Sequence, residues 1–429
     1  MTKSLLGAEW IHRLNQYSQC IVGFSGGLDS TVLLHVLAAQ PDLKNKLLAV
    51  HIHHGISPNA LAWQTHCQRF CQELGIAFVA DSVDFDRSSN VEEHARQARY
   101  DVFASYLSND KALLLGHHQD DQAETVLLQL FRGAGVDGLA AMNAESQLEK
   151  GVLLRPFLMH SRKELENYAE VYHLTWIEDE SNQELNYSRN YLRQRIIPLL
   201  VEKWPGVVGN LARTATHCQQ AKINLEELAL LDCPQLLSAN SILSLDALNN
   251  LPVERLQNVL RVWLRKNQIQ SPSTVILERI VHEVIQAKDD AMPLVAWNEV
   301  QVRRYQQQLY LDRKELIQYP SGLYWPNFPN PLTMMMPYQL VARKTQQGLK
   351  IPSSSVLQIR FRQGGETFVW RGQTKKLKKL FQDWNIPTWL REQIPLLYVD
   401  DQLAAVIGYA VSDLFYSHDA AELWEIIVL

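Results

Sequence analysis

The sequence predicts an α/β fold: a parallel sheet wrapped by helices, followed by a helical domain and a small α+β domain. Three observations carry this prediction. Over the first 130 residues, short bounded apolar runs alternate with amphipathic stretches, the pattern of strand–helix crossovers in a parallel sheet. A glycine-rich hexapeptide separates the first apolar run from the helix after it. Helical periodicity then dominates from about residue 216 to 285.

The elements follow in order. Cys20–Phe24, Leu47–Ile52, Ile76–Ala80 and Ala112–Leu115 are short and apolar, so they read as strands. Thr31–Ala39, Asn59–Leu74, Asn90–Leu107 and Asp120–Phe131 read as helices between or after them. In the third helix Val91, Ala95, Ala98, Val102 and Leu107 keep a rough helical period, with Asn90 as N-cap and Glu93 three residues on. The text then turns polar and arginine-bearing, and the helical stretch after it is broken at Pro234 and Pro252. Pro320, Pro326, Pro329, Pro331 and Pro337 mark an irregular connection. The tail carries short apolar runs, Gly364-Gly365 and a basic block. The predicted domains are therefore 1–215, 216–318, a proline-rich connection 319–349, and 350–429.

Composition narrows the class. At roughly 150 residues per domain, 429 residues suggest three domains. An apolar share of 46% with 20% charged residues excludes disordered, collagen-like and disulfide-stapled proteins. Forty-one basic against 46 acidic residues give a net charge of −5, so any nucleic-acid surface must be a local patch. Five cysteines without a Cys-x-x-Cys pair fit a reducing compartment. No apolar run reaches membrane-spanning length. A cytoplasmic protein without membrane contact is expected, and monomer and homodimer both remain open.

The sharpest local signal is Ser25-Gly26-Gly27-Leu28-Asp29-Ser30, between a strand and a helix. Its glycines let the backbone approach a ligand closely. Loop amides and the free N–H groups of the helix end make an anion site, and the two serine hydroxyls add donors. Asp29 repels a bare phosphate and so calls for Mg²⁺. The bland alternative is a capped strand–turn–helix corner. A Walker A loop is excluded, because no Gly-Lys-Ser/Thr follows. Gly133–Gly138 spells G-x-G-x-x-G but follows a helix instead of a strand, which rejects a dinucleotide site.

A second constellation is Gly116-His117-His118-Gln119-Asp120-Asp121-Gln122-Ala123-Glu124-Thr125. Asp121, Glu124 and Thr125 share a helix face. Asp120 alone would serve as a cap, so the further acids suit Mg²⁺ or a base that takes a proton from an amine. His51, His53, His54, His117 and His118 invite zinc, but His51 and His53 have no accompanying cysteine pair of zinc-finger spacing. Cys67 and Cys71, one helical turn apart, read as core thiols.

The hexapeptide resembles the pyrophosphate-binding loop of the PP-loop ATP pyrophosphatase superfamily, whose domain is Rossmann-like and which cleaves ATP between the α and β phosphates. Val50-His51-Ile52-His53-His54-Gly55, the Gly116–Thr125 block, Phe131–Gly135, Arg155-Pro156 and Asn186–Arg193 resemble the tRNA(Ile)-lysidine synthetase family, as do the tail segments Phe361–Glu366 and Lys375–Phe381. The resemblance implies ligation of free L-lysine to C2 of the wobble cytidine of the CAU-anticodon tRNA(Ile), through an adenylated intermediate. It implies an ATP site at Ser25, Gly26, Gly27, Leu28, Asp29, Ser30, His51 and Gly116. It implies Mg²⁺ on Asp29 and Asp121, and catalysis by Asp29, Asp121 and Glu124. The base would be Asp121 first and Glu124 second: with a side-chain pKa near ~10.4, only about one lysine in a thousand is a neutral nucleophile near pH 7.4.

For the RNA, Arg189, Arg193 and Arg195 either meet anticodon-loop phosphates or pair with Glu178, Asp179 and Glu180. Arg132 reaches ATP phosphates or RNA, or is a plain surface arginine. The segment Arg360–Arg391 holds eight basic residues and two acids, a local +6, which reads as a phosphate footprint. Arg362, Arg371, Lys375, Lys378 and Lys379 are its candidate tRNA contacts, the three lysines sharing a helical face. Two competing readings are a PP-loop tRNA 2-thiolase, which needs site cysteines, and a non-catalytic ATP-dependent tRNA-binding protein.

Overall fold

Apolar residues on both faces of the central strands explain the architecture. Cys20, Val22 and Phe24 point into one fully buried cluster, and Ile21, Val50, Ile52 and Leu113 into another on the opposite side. Only a sheet covered by helices on both faces buries both sets. The computed structural model describes residues 5–53, 59–84, 91–180, 184–288, 291–313, 322–335, 338–419 and 422–428. His54, Gly55, the Asn90 cap, Pro320 and Pro337 lie outside the described residues.

The chain forms two units, Met1–Leu231 and Asp232–Leu429. In the first, strands β1 (Gln19–Gly23), β2 (Leu47–His53), β3 (Ala77–Ser82), β4 (Lys111–Leu114), β5 (Glu145–Leu148) and β6 (Gly151–Leu154) are ordered β3-β2-β1-β4-β6-β5. All neighbours are parallel except the β5–β6 hairpin. The order reverses at β1, whose neighbours are β2 and β4. The crevice at that switch point lies beyond the carboxyl ends of these strands, where open α/β sheets bind ligands.

The helices of this unit are α1 (Ala8–Leu14), α2 (Leu28–Ala38), α3 (Pro41–Lys44), α4 (Ala60–Leu74), α5 (Val91–Ser105), α6 (Gln119–Phe131), α7 (Val136–Leu139) and α8 (Arg162–Val171). After them come α9 (Ser188–Tyr191), a π-helical stretch Leu192–Ile196, α10 (Ile197–Lys203) and α11 (Val207–Asp232). The four predicted strands and four predicted helices of the parallel part are all present, with ends shifted by up to three residues. Helix α6 precedes the Gly133–Gly138 turn, as the rejection of a dinucleotide site required.

Three domain expectations are corrected. The first domain does not end at 215, because α11 runs unbroken through it to Asp232. The region 216–318 is not purely helical. Beside α12 (Val253–Lys266) and α13 (Thr274–Arg279) it holds an antiparallel sheet of β7 (Ile242–Ser244), β8 (Leu294–Trp297), β9 (Val300–Tyr305) and β10 (Gln308–Arg313), ordered β7-β10-β9-β8. The stretch 319–349 is not merely a connection. Strands Leu332–Met335 and Tyr338–Thr345 lie in it, and the second pairs antiparallel with Leu423–Val428 near the end of the chain. A further hairpin, Thr367–Trp370 with Gln373–Lys376, leads into a short helix Leu377–Asp383. None of the described helices is long and apolar enough to cross a membrane.

Candidate active site

Two strand–helix turns build the site, after β1 and after β4. In the first, Gly26 has φ +85°, and a Cβ there would stand 2.6 Å from Ile177 Cδ1 and 2.8 Å from Cys67 Sγ. The loop is pinned from both sides. The Ile177 N–H donates to the Gly26 carbonyl at 2.8 Å, and the Thr31 hydroxyl donates to the same oxygen at 3.3 Å. Ser25 and Ser30 hydroxyls lie 3.1 Å apart. Gly27 caps α2 without any side-chain hydrogen bond, so the N–H groups of the first turn stay available for an anion. Leu28 is buried in the core and offers only its backbone to the loop. His51 lies beneath the loop, 3% exposed, with Nδ1 2.9 Å from the Phe24 carbonyl. Burial lowers its pKa, so the neutral ring donates through Nδ1 and braces the β1–α2 turn.

The second turn fits against the first at Gly116. A Cβ there would lie 2.9 Å from the Asp29 carbonyl carbon and oxygen, so only glycine lets the two turns touch. Helix α6 then opens with a capping box: the Asp121 Oδ2 accepts the His118 N–H at 3.0 Å, and the His118 Nδ1 faces the Asp120 N–H at 3.2 Å. His118 is fully buried among carboxylates, with Nε2 3.5 Å from both Asp29 and Asp121 and Nδ1 3.5 Å from Asp120. Burial alone would lower its pKa, but these acids outweigh burial and raise it to about 10. A protonated Nδ1 cannot also accept the Asp120 N–H. With three acids around the ring, the charged form prevails at neutral pH.

Helix α9 and the π-helical turn after it close the site. Arg189 Nε donates to Glu124 Oε2 at 2.6 Å, and Arg193 Nε donates to Glu124 Oε1 at 2.6 Å. Both guanidinium groups also reach Asp121 Oδ1 at 3.2 Å. Glu124 is 1% exposed and Asp121 is buried. Burial would raise the Asp121 pKa, yet His118 and Arg189 bring it down to about 2. Four acids (Asp29, Asp120, Asp121, Glu124) thus face three cations (His118, Arg189, Arg193), one negative charge in excess. Nearby, neutral His117 accepts the Arg155 Nε–H at 3.2 Å, and burial takes its pKa down to about 3.

This geometry changes several expectations. Arg189 and Arg193 pair with Asp121 and Glu124, acids other than those at 178–180. Arg195 is exposed on the same stretch. Asp121 does not suit a metal here, because Oδ1 takes both arginines and Oδ2 the His118 N–H. Asp29 does suit one: its Oδ1 is buried without a hydrogen-bond partner, and it sits at the helix end where phosphates would lie. No group of three or more His, Cys, Asp or Glu able to hold a metal occurs among the described residues. His118 is the site residue that sequence reasoning set aside as a weak zinc candidate. Its signal was its place just ahead of two acids at a helix start.

The tail differs as well. Lys375 lies on the strand Gln373–Lys376, so it does not share a helical face with Lys378 and Lys379. Leu377, Leu380 and Phe381 are buried and form the inner face of that helix. Arg391 is buried and donates to the Ile386 carbonyl. Arg360 pairs with Asp401 and stacks on Tyr398, and Arg362 lies 3.9 Å from Glu366. Arg371, at the hairpin tip, and Lys376, Lys378 and Lys379 are exposed.

A sheet with its switch point at β1, a glycine loop before an uncapped helix and a second acidic helix start define a nucleotide-binding α/β enzyme. The family description "PP-loop domain" matches residues 5–200, "TilS substrate binding domain" matches 243–310, and "TilS substrate C-terminal domain" matches 357–428. The N-terminal unit is thus a PP-loop ATP-binding domain. Proteins named tRNA(Ile)-lysidine synthase match along the whole length. That of Legionella pneumophila (strain Lens) is 60% identical over 100% of this chain and 99% of its own. That of Coxiella burnetii is 38% identical over 97% and 95%, and that of Serratia proteamaculans 38% over 99% and 99%. The chain belongs to the tRNA(Ile)-lysidine synthase family.

Proposed function

We propose that this enzyme joins free L-lysine to C2 of the wobble cytidine in a CAU-anticodon tRNA(Ile), in the cytoplasm, with ATP and Mg²⁺. In the first step the C2 carbonyl oxygen attacks the α-phosphorus of ATP and pyrophosphate leaves. In the second the lysine ε-nitrogen attacks C2, the C–O bond breaks, AMP leaves and one amine proton is released. The observation that carries this reading is the meeting of an uncapped glycine loop with a buried acid–arginine network across Gly116. One half suits a pyrophosphate, the other an ammonium.

Each residue has a part. Backbone N–H groups from Gly26 to Ser30 and the Ser25 and Ser30 hydroxyls hold the departing pyrophosphate. Asp29 would hold Mg²⁺, which offsets charge on the phosphates when bound. His51 positions the loop through the Phe24 carbonyl. Asp121 and Glu124 hold the lysine ammonium, exchanging an arginine for it. With a pKa of about 2, Asp121 is a weak base and a strong cation site. It can still take the proton after attack, when the new C–N bond makes that nitrogen acidic. Arg132, Arg195 and the exposed tail cations Arg371, Lys378 and Lys379 contact tRNA phosphates, with Arg362 and Lys375 supporting that surface.

The 2-thiolase reading finds no support at the thiols. Cys67 and Cys71 are fully buried, and burial pushes both up to about 12, far from the thiolate such chemistry needs. The test of the proposal is incubation of the protein with Mg-ATP, labelled lysine and tRNA(Ile), with Asp29→Ala alongside. Lysine label in the tRNA of the unmodified protein, absent with Asp29→Ala, is the expected result. Sulfur label in its place would overturn it.

A further inference from the structure

The face of α6 that carries Asp121 and Glu124 does not end with them. Leu128, Phe131 and Arg132 continue it at helical spacing. Opposite them, Ser188, Tyr191 and Leu192 flank the two arginines that grip Glu124. Between these walls runs an open groove of about 470 Å³, within the range of ~300–1,000 Å³ typical of small-ligand sites. Phe131 is 66% exposed and Tyr191 48% exposed along it. Both rings line the same groove, so the exposed aromatic surface is gathered in one place instead of scattered.

We propose that this groove receives a nucleobase of the anticodon loop next to the wobble cytidine, unstacked and laid against Tyr191 and Phe131. The inference rests on the tRNA reading above and adds a site to it. Position is the first argument. Seven residues separate Glu124 from Phe131, about 10 Å along the helix, within reach of a neighbouring nucleotide on the same strand. Chemistry is the second. Single-stranded RNA is read by stacking on aromatic rings, with polar groups at the base edge and a cation at the phosphate. Two aromatic residues, the polar residues Asn186 and Ser188, and the exposed Arg132 line the groove. A third argument is mechanical. To put the wobble base into the pocket, the loop must be splayed open, and a stacking site for the neighbour offsets the stacking lost there.

The test uses the full-length protein and tRNA(Ile) bearing 2-aminopurine on one or the other side of the wobble cytidine. Stacking in the groove quenches this base. The expected result is quenching at one flank with the unmodified protein and with Tyr191→Phe, which keeps the ring. Tyr191→Ala and Phe131→Ala are expected to lose the quenching and to raise the KM for tRNA roughly tenfold or more. ATP affinity, measured by titration, reports that these surface variants are folded. Unchanged quenching and KM in both alanine variants would overturn the proposal, as would absence of quenching at either flank with the unmodified protein. If the unmodified protein adds no lysine to tRNA(Ile), it is the parent reading that fails, and the two failures are distinguishable.

Discussion

Gly116 is the residue on which the two halves of the site depend. A methyl group there meets backbone at 2.9 Å, and backbone cannot swing aside as a side-chain end can. Gly116→Ala is therefore expected to push the first turn of α2 away, at a cost of about 1–3 kcal/mol, and to weaken ATP binding at least tenfold by calorimetry. Gly26 is more forgiving sterically, since its nearest neighbours are side-chain ends, although its positive φ penalises any other residue. Glu124 makes a different prediction. Glu124→Gln removes the charge that two guanidinium groups share. It is expected to cost about 1–3 kcal/mol of stability in chemical denaturation. It should abolish lysine transfer while ATP still binds. The sequence showed both acids and both arginines as separate motifs, 65 or more residues apart. Nothing local in it joined Arg189 and Arg193 to Asp121 and Glu124, because that pairing is made by tertiary packing alone.

At the scale of elements, the start of α6 concentrates buried charge. His118 sits there as a buried cation held by three acids, and its pKa of about 10 lies above the value near 6.5 expected in the unfolded chain. A raised pKa stabilises fully below the unfolded value and is lost as pH rises through the folded one. The difference in Tm between the unmodified protein and His118→Asn should then be largest near pH 6 and shrink towards pH 10. A difference that grows with pH would contradict the charged state. Asp121, held at about 2, contributes in the opposite sense: its stabilisation is present above pH 4 and fades only towards pH 2. Most strands and helices of the parallel sheet were legible, because apolar runs and amphipathic runs alternate with clear boundaries. The sheet of β7–β10 was not. Its hairpin turns place Asn298 at φ +46° and Gln306 at φ +53°, so no glycine or proline marks them. Lys375 was misplaced for a related reason: a strand passes directly into the helix at Leu377, and a basic run looks the same in either.

For the whole molecule, the question is how a chain of net charge −5 engages a polyanion. The +6 counted along Arg360–Arg391 overstates the available charge, since Arg391 is buried and Arg360 and Arg362 face acids. What remains in water is the hairpin tip and the outer face of one short helix, from Arg371 to Lys379. Lys378→Glu with Lys379→Glu should weaken tRNA binding and flatten its salt dependence by about 0.7–0.9 for each phosphate no longer neutralised, while ATP affinity stays the same. A salt slope equal to that of the unmodified protein would remove this surface from the RNA-binding face. In the proposed reaction the substrate shares its CAU anticodon with the methionine tRNA, so discrimination would have to come from groups outside the anticodon, and this surface is the candidate for reading them.

In the proposed reaction one site adenylates a cytidine and then hands it to lysine, and label transfer is the measurement that probes both steps together. Purified protein is mixed with Mg-ATP, radiolabelled lysine and either the CAU isoleucine tRNA or the methionine tRNA. Lysine label is expected in the isoleucine tRNA alone, with AMP and pyrophosphate released in equal amounts. ATP binding without lysine label in either tRNA would contradict this chemistry.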